Sequence, residues 1–482
     1  MQMKQFMTAL LLFAALTVQG QMMQSGIIRG NSHQNSADLS QPAPWQEALP
    51  NPTTAATMRR AAADAGVRWI DRIHNLPTHL KDFYTTYGSM VHDVLAGKKN
   101  ALSDPSLGIY NADGNEYDLV VKTYTGTIDF TYPKDASLAI IGDNAYAAVE
   151  PVCSEQWNNT DCFMLYLCLC LTYDYPEGFW LDSNFQWGDY WQYSYSYNPA
   201  GTKGTLEYTH VITFRLKGPQ FNHLRKEFQN PQTLATAVTE YNQKVNQLVA
   251  NCPKNGWRYN QIVYLNDWLT KNNGYNSDYG TTQDIAKIAW SPLSALRGST
   301  GKTGPVCEGY ARAFKVLCDK LGIPCVLATG YARSQAGGNG VTHMWNEVQM
   351  ENGLWYAIDV TWNDPIDSQN RKESGYENRK WLLLGSQDVV GQDLTYAQSH
   401  PVSITWGLNA QNVKKWDYSM ASLITDSHYD FAAGMDTPAC VRTASDPTLY
   451  TLGGQRLGKD ASTVTGRKAR MVVGNGRKYL IK

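Results

Sequence analysis

The sequence predicts an α+β fold from three observations. Apolar residues recur at helical spacing from Ala56 to about Leu95, and again in residues 233–250 and 257–272. Between these stretches, Asp118–Phe130 alternates in polarity and is rich in Val, Thr and Tyr, which indicates a strand. Trp187–Leu216 is dense in Tyr, Trp and Thr, with turn-forming Asn-Pro and Lys-Gly pairs, and predicts a β-hairpin or meander.

Composition excludes several classes of protein. The chain has 482 residues, of which 43% are apolar, so it is not wholly disordered. Its 42 basic and 43 acidic residues give a net charge of −1, which argues against a nucleic-acid partner. Nine cysteines are present, but no Cys-x-x-Cys or His-Glu-x-x-His motif, so we expect no metal and no cofactor.

The N-terminus has the pattern of a signal peptide. Lys4 precedes an apolar run from Phe6 to Val18, and Gly20 supplies a small residue for cleavage. The run is shorter than the ~20 residues that span a bilayer. Cys162–Leu171 is also strongly apolar and short, and is interpreted as core. We therefore expect an exported protein without a transmembrane segment, located in the periplasm, at the cell surface or outside the cell.

Cys307 is the first candidate for chemistry. Gly304-Pro305 ends a loop, a helical apolar period begins at Cys307, and Gly322 supplies a helix stop. The free N–H groups and the dipole of a first helical turn favour a thiolate and can hold an oxyanion. The alternative is a small buried cysteine.

Two strand-like runs follow, Val341–Val348 with His343 and Leu354–Trp362 with Asp359, separated by Glu-Asn-Gly. Their loop length decides whether His343 and Asp359 meet, because side chains alternate between the faces of a sheet.

A two-residue loop places Asp359 on the face opposite to His343. A three-residue loop, with Gly353 in the left-handed conformation, pairs Met350 with Leu354. His343 and Asp359 then become diagonal neighbours on one face, ~7–8 Å apart between backbones. We predict the odd-length loop, or a bulge with the same effect.

Cys307, His343 and Asp359 would then form a nucleophile, a base and an orienting carboxylate. His343 would take the proton of the thiol, and Asp359 would hold the imidazole. Such a set attacks amide or thioester carbonyls without a metal or cofactor.

Three blocks carry a family resemblance: Cys307–Ala311 (Cys-Glu-Gly-Tyr-Ala), His343–Asn346 (His-Met-Trp-Asn) and Trp355–Asp364. They resemble the transglutaminase-like superfamily, most closely its protease-like branch with the cytokinesis and kyphoscoliosis-peptidase type of domain. Asp174–Leu181 and Asn266–Tyr275 are similar to upstream segments of bacterial members. In these segments Gly178 replaces a usual Leu, and Asn266 stands where a His is common, which leaves substrate handling open.

The resemblance implies a papain-like core, in which a catalytic helix packs on an antiparallel sheet, and a catalytic triad of Cys307, His343 and Asp359. The superfamily includes transglutaminases, peptidases, amidases and inactive members. Animal transglutaminases use calcium, but the chain has no EF-hand-type loop. Asn363, Asp364 and Asp367 could form a carboxylate cluster or a solvated turn.

Five further side chains have open roles. Trp345, Trp362 and Tyr310 are candidates for the substrate pocket, with packing in the core as the alternative. Cys318 brackets the end of the catalytic helix together with Cys325, and the two could form a disulfide or remain buried thiols.

The tail has short strand-like runs around Gly-Gly and Gly-Asn-Gly, with eight basic residues and one acidic residue from Arg456 onward. It resembles the tails of exported Bacteroidota proteins, some of which are sorting signals, so contact with a surface or with secretion machinery is expected. The predicted domains are a signal peptide (1–20), a linker (21–55), an N-terminal helical and strand segment (56–154), a catalytic domain (155–400), a second linker (401–445) and a small β module (446–482).

The sequence thus predicts an exported cysteine-dependent enzyme that acts on amide bonds of a protein or peptide substrate through a thioester acyl-enzyme. Peptidase or amidase activity is favoured over cross-linking, because transfer to an amine requires a cleft that excludes water. The alternative is a catalytically silent binding or scaffolding protein at the cell surface.

Overall fold

The computed structural model describes residues 22–29, 34–38, 68–73, 76–98, 109–110, 118–181, 184–216, 225–228, 230–254, 257–277, 288–300, 303–336, 338, 340–367, 372–391, 393–402 and 422–430, and four strands of the tail. The predicted signal peptide lies outside these residues. The chain divides into two compact units: unit 1 comprises residues 1–44, 73–239 and 406–418, and unit 2 comprises residues 45–72, 240–405 and 419–482.

Unit 1 contains a six-stranded antiparallel sheet and two long helices. The order of its strands is β1-β5-β6-β4-β3, and β2 also pairs with β5. The elements are β1 (Met22–Arg29), β2 (Gln34–Asp38), α1 (Thr78–Leu95), β3 (Ile109–Tyr110), β4 (Asp118–Thr131), α2 (Leu138–Asp174), β5 (Asn184–Tyr197) and β6 (Lys203–Leu216). The predicted strand at 118–130 and the hairpin within 187–216 are confirmed as β4 and β5–β6.

Helix α2 covers the sheet of unit 1. Ser137 caps its first turn by accepting a hydrogen bond from the Ile140 N–H. Its first half packs Ile141 and Val149 against the aromatic side chains of β5 and β6. In its second half Cys168–Leu171 is fully buried, which confirms that this apolar run belongs to a core.

The N-terminal part of unit 1 differs from the predicted organisation. Where the sequence predicts a linker at 21–55, β1 and β2 add to the edge of β5. Edge pairing uses backbone groups, so it needs no apolar periodicity in the added strand. Helix α2 also continues across the expected boundary between residues 154 and 155.

Unit 2 contains a four-stranded antiparallel sheet of order β10-β9-β8-β7, against which α6 packs. This arrangement, together with the sheet and helices of unit 1, confirms the predicted α+β class. The remaining elements are α3 (Pro231–Asn251), α4 (Arg258–Asn272), α5 (Pro292–Leu296), α6 (Cys307–Lys320), β7 (Cys325–Ala332), β8 (Val341–Gln349), β9 (Trp355–Ile358), β10 (Leu382–Leu384), β11 (Val389–Gly391), β12 (Leu394–Thr395) and α7 (Tyr396–Ser399). The boundary between the units falls within α3.

Two segments distant in sequence complete unit 2. Trp69, in a short 3-10 helix, donates from its indole N–H to the Leu327 carbonyl at 2.8 Å. Residues 422–430 lie against β9, where the Thr425 N–H donates to the Trp355 carbonyl at 2.9 Å. That second segment lies in the stretch 401–445, which the sequence predicts to be a linker.

The described strands of the tail form a small sheet. Its four strands are β13 (Leu449–Thr451), β14 (Arg456–Gly458), β15 (Arg470–Gly474) and β16 (Arg477–Ile481), in the order β14-β13-β15-β16. Within the described parts of the chain, no helix has the length and apolar character needed to cross a membrane.

Candidate active site

Cys307 is the first residue of α6, as its motif predicts, and its side chain is partly exposed. The preceding residue, Val306, donates its N–H to the Ala289 carbonyl at 3.0 Å and so fixes the start of the helix. Gly309 lets α6 approach the same carbonyl, because a Cβ at this position would lie 2.3 Å from that oxygen. The glycine of the Cys-Glu-Gly motif is therefore required by packing.

The β8–β9 hairpin has the register that the odd-length loop predicts. Val348 pairs with Tyr356, and the Met350 N–H donates to the Leu354 carbonyl at 2.9 Å. Gly353 has a φ of 78°, the left-handed conformation that a three-residue loop requires. The prediction of a three-residue loop is confirmed.

This register brings His343 and Asp359 together. His343 Nε2 lies 2.7 Å from Asp359 Oδ2, and both side chains are buried. Strand β9 ends at Ile358, and Asp359 begins a turn in which its other oxygen, Oδ1, accepts the Trp362 N–H at 3.0 Å. Its backbone N–H donates to the Trp381 carbonyl at 2.9 Å, which fixes the main chain at Asp359.

The charges in the site reinforce one another. Burial disfavours the charged imidazole, but the Asp359 carboxylate and a hydrogen bond with Cys307 outweigh burial and raise the pKa of His343 to about 10. Burial would raise the pKa of Asp359, but His343 and His400 hold it well below its usual value. Since Nε2 of His343 faces the carboxylate, Nδ1 remains for the thiol. The arrangement is a buried imidazolium–carboxylate pair next to a partly exposed sulfur.

His400 belongs to the site, although the sequence motifs do not reveal it. It follows α7, is buried, and places Nε2 3.1 Å from Asp359 Oδ2. Burial lowers its pKa below the usual value, and the partly opposing effect of Asp359 does not reverse this. No spacing rule connects His400 to a carboxylate 41 residues earlier, because the chain between them is mostly turns and short strands.

The side chains of His343, Asp359 and His400 place three donor atoms within 4.8 Å of one another, the proximity that a bound cation would need. Hydrogen bonds of 2.7 and 3.1 Å already occupy these atoms. Tetrahedral zinc with ligand distances of about 2.0–2.2 Å keeps its ligands more than 3 Å apart. A cation would therefore have to separate the hydrogen-bonded groups.

The three pocket candidates differ in position. Trp362 is partly buried, and its ring centroid lies 5.6 Å from that of His343. Trp345 is only 1% exposed and belongs to a core cluster. Tyr310 is fully buried, and its hydroxyl donates to Asp364 Oδ2 at 2.5 Å. Trp345 and Tyr310 thus take the core alternative, and a pocket role for Trp362 stays a prediction.

Two residues shortly after Asp359 are buried rather than solvated. Asn363 and Asp364 are both buried, and Lys372 Nζ contacts Asp364 Oδ1 at 2.7 Å. Burial raises the pKa of Asp364 to about 6, against the opposing effects of Lys372 and Tyr310. The expectation of a solvated turn is wrong for Asn363 and Asp364, because their polar groups pair inside the protein, and the carboxylate cluster with Asp367 stays a prediction.

Asn266, which stands where a His is common in the family, contacts the same buried segment after Asp359. Its side-chain oxygen accepts from Asn363 Nδ2 at 2.8 Å, and its own amide donates to the Asn378 carbonyl at 3.3 Å. Asn266 therefore connects α4 to the loop that follows Asp359.

All cysteines among the described residues are free thiols. Cys318 and Cys325 share a hydrogen bond in the core, so the free-thiol alternative holds for this pair. Cys440 lies outside the described residues.

Comparison with known proteins places this site in a family. Residues 242–360 match the family model described as the transglutaminase-like superfamily. Kyphoscoliosis peptidase of Mus musculus is 33% identical over 113 residues, which are 22% of this chain and 16% of that protein. The Homo sapiens protein of the same name is 32% identical over 95 residues, 18% of this chain and 14% of its own. The chain thus matches less than a fifth of the length of either relative.

A solved structure of a TGase aligns with 49% of this chain and 56% of its own, with 11% identity and a TM-score of 0.24. The family match covers α4, α5, α6 and the β7–β9 sheet, and with them Cys307, His343 and Asp359. Residues 242–360 of this chain therefore belong to the transglutaminase-like superfamily.

Proposed function

We propose that this protein is an exported cysteine-dependent enzyme that hydrolyses amide bonds in a protein or peptide. Cys307 is the nucleophile, His343 is the general base and acid, and Asp359 orients the imidazole. The observation that carries the proposal is the position of His343, hydrogen-bonded to Asp359 on one side and to Cys307 on the other.

The chemistry follows from this arrangement. In the resting site the Cys307 proton already resides on His343 Nδ1, and the thiolate attacks the carbonyl carbon of the substrate. The C–N bond then breaks, His343 returns its proton to the leaving amine, and a thioester remains. Water, deprotonated by His343, hydrolyses the thioester and releases the acid and the thiol.

Three features of the site support these roles. The pKa of His343 near 10 keeps the imidazole charged through neutral pH, and a neighbouring cation favours a thiolate. The first turn of α6 supplies N–H groups that have no partner within the helix and can stabilise an oxyanion. Cys307 is only partly buried, which is compatible with access of a substrate to this residue.

We propose hydrolysis rather than transfer to an amine. The curated relatives carry the name of a peptidase, which supports this choice. Peptidase or amidase action needs only water as the second acceptor, whereas cross-linking needs a cleft that excludes it.

Export and a surface-directed tail are part of the proposal. The charged, apolar and small-residue pattern of residues 1–20 supports a cleaved signal peptide. Cell fractionation, with mass spectrometry of the mature N-terminus, tests it. An intact Met1 on a protein found in the cytoplasm would contradict export.

The test of the catalytic roles is the alkylation rate of Cys307 by iodoacetamide from pH 4 to 9, measured by mass spectrometry on the full chain. We expect fast labelling at pH 6 that falls at least 10-fold in His343→Ala, because the imidazolium that stabilises the thiolate is lost. His428→Ala changes an exposed histidine of the same unit and serves as the control.

The second step is a screen of wild type and Cys307→Ala for hydrolysis of peptide libraries, and for amine incorporation. Release of new amines by wild type alone supports the peptidase. If Cys307 labels only at high pH and His343→Ala changes nothing, the catalytic proposal fails and the chain is a binding or scaffolding protein.

A further inference from the structure

We infer that His400 is a positioning residue of this site, which holds the Asp359 carboxylate in the orientation that His343 needs. The inference rests on the proposed function, since it assigns a second support to the proposed triad. His400 lies beyond the matched residues 242–360, so the family match does not include it.

The hydrogen bonds of Asp359 account for the role. Oδ1 accepts the Trp362 N–H at 3.0 Å, and Oδ2 accepts from both His343 and His400. Without His400, only His343 would donate to Oδ2. The carboxylate of Asp359 would then be freer to rotate about its Cβ–Cγ bond. A buried carboxylate that lacks a donor is also costly, so the donor fixes both its charge and its direction.

His400 is itself held rigidly. Its ring stacks on Tyr396, with centroids 4.5 Å apart and an angle of 5° between the planes. Trp345 and Trp362 make T-shaped contacts with it, with ring centroids 5.0 and 4.7 Å from that of His400. Trp381 is a fourth aromatic neighbour, at 5.3 Å between centroids. A side chain packed among four aromatic rings keeps Nε2 directed at Asp359, which a solvent-exposed histidine could not do.

The segment that carries His400 is fastened to β7. The Arg333 N–H donates to the Ser399 carbonyl at 2.9 Å, and Val402 forms a bridge with Gly330. Gly330 also pairs with His343 across β7 and β8. One strand therefore sets the positions of both histidines, so their spacing on either side of Asp359 is built into the sheet.

Charge explains why a neutral donor suits this position. The titratable groups of the described residues that face His400 are Asp359, His343 and Tyr396. A second cation next to Asp359 would compete with the His343 imidazolium for the same oxygen. The lowered pKa of His400 keeps it uncharged near neutral pH, so it donates a hydrogen bond without weakening that ion pair.

The experiment compares four variants of the full chain. His400→Phe keeps an aromatic ring and removes the donor, whereas His400→Gln keeps an N–H group near the place of Nε2. In His400→Asn the side chain is too short to reach Asp359. Comparison of the Asn and Gln variants therefore tests the donor even if His400→Phe impairs folding. His210→Phe is the matched control, since His210 is also fully buried and contacts a buried carboxylate, that of Asp189 at 2.9 Å, in unit 1.

The readout is the rate constant for alkylation of Cys307 against pH, per folded protein as judged by near-UV circular dichroism. We expect His400→Phe and His400→Asn to lower it about 10-fold at pH 6, equivalent to about 1.4 kcal/mol. The pH below which alkylation of Cys307 slows should rise by about one unit, because Asp359 would hold the His343 imidazolium less well. His400→Gln should remain within about 3-fold of wild type.

The outcomes separate the two proposals. Wild-type profiles in His400→Phe and His400→Asn, together with loss of labelling in His343→Ala, would overturn the role of His400 and leave the triad intact. Equal losses in Gln, Asn and Phe variants would also overturn it, since the donor would not matter. Slow labelling of wild-type Cys307 would refute the triad and the positioning role together.

Discussion

Replacing Gly309 by alanine should displace the nucleophile. A Cβ at this position lies 2.3 Å from the Ala289 carbonyl oxygen, whereas real Cβ atoms stay at least 3.0 Å from such neighbours. The helix or the carbonyl must therefore move by about 0.7 Å, the difference between these distances. The carbonyl cannot yield easily, because it accepts hydrogen bonds from the Val306 N–H and the Ser294 hydroxyl.

Two energies oppose each other in this variant. Alanine favours a helix over glycine by about 1 kcal/mol, whereas overpacking a tight contact costs about 1–3 kcal/mol. We expect a net loss of about 1 kcal/mol in unfolding free energy. The effect on chemistry should be larger, since a 1 Å misplacement reduces rates by about 100-fold. A shift below 1 Å should slow Cys307 alkylation by about 10-fold or more.

Alkylation of Cys307 quenched at set times measures the effect on reactivity, and urea denaturation measures the effect on the free energy of unfolding. Gly322→Ala is the control at the other end of α6, because its φ of 70° penalises alanine although nothing lies within 4 Å of the new Cβ. That variant should lose stability and keep the alkylation rate. A Gly309→Ala protein that is more stable than wild type and labels at the wild-type rate would refute the packing argument.

Three other predictions follow from buried polar groups. Folding raises the pKa of His343 from 6.5 to about 10, so the charged imidazole stabilises the folded protein fully below pH 6.5 and progressively less as the pH rises toward 10. The difference in urea midpoint between wild type and His343→Ala should therefore shrink over that range. Glu347 is fully buried and accepts hydrogen bonds from the Ser422 hydroxyl and the Leu423 N–H, at 2.6 Å each. Glu347→Gln should therefore lower the free energy of unfolding by about 1–3 kcal/mol and speed proteolysis within residues 422–430. Equal digestion rates in the variant and the wild type would contradict this. Burial raises the pKa of Cys153 to about 12, so this thiol should label far more slowly than Cys307 at pH 7, and comparable rates by mass spectrometry would exclude a specially reactive Cys307.

Local rules predict the catalytic segments well. The helix from Cys307 to Lys320 follows from a loop ending in Gly-Pro and a glycine stop, and the β8–β9 register follows from a three-residue loop with Gly353. These features depend on contacts a few residues apart, so the sequence contains the necessary information. The register brings Asp359 to the end of β9 on the side of His343, and the turn that begins at Asp359 completes the contact.

Sequence patterns do not predict the contacts between distant segments. His400 and the segment 422–430 pack on the sheet through hydrogen bonds and aromatic contacts that leave no periodic pattern in the sequence. Burial of Asp364 is equally hidden, since an Asn-Asp pair next to a proline usually marks a solvated turn. Only the tertiary fold supplies its partners, Tyr310 and Lys372.

The buried carboxylate of Glu347 sets a lower limit on the size of an independently expressed catalytic fragment. A protein cut at residue 360 would retain all three proposed triad residues, but it would expose Glu347 on β8 and remove two donors to Asp359, the Trp362 N–H and His400. Trp69 imposes a similar demand from the other side, because its indole fills a place beside β7. Fragment boundaries for expression should therefore be chosen to keep residues 68–72 and to extend past Tyr429, rather than to follow the limits of the family match.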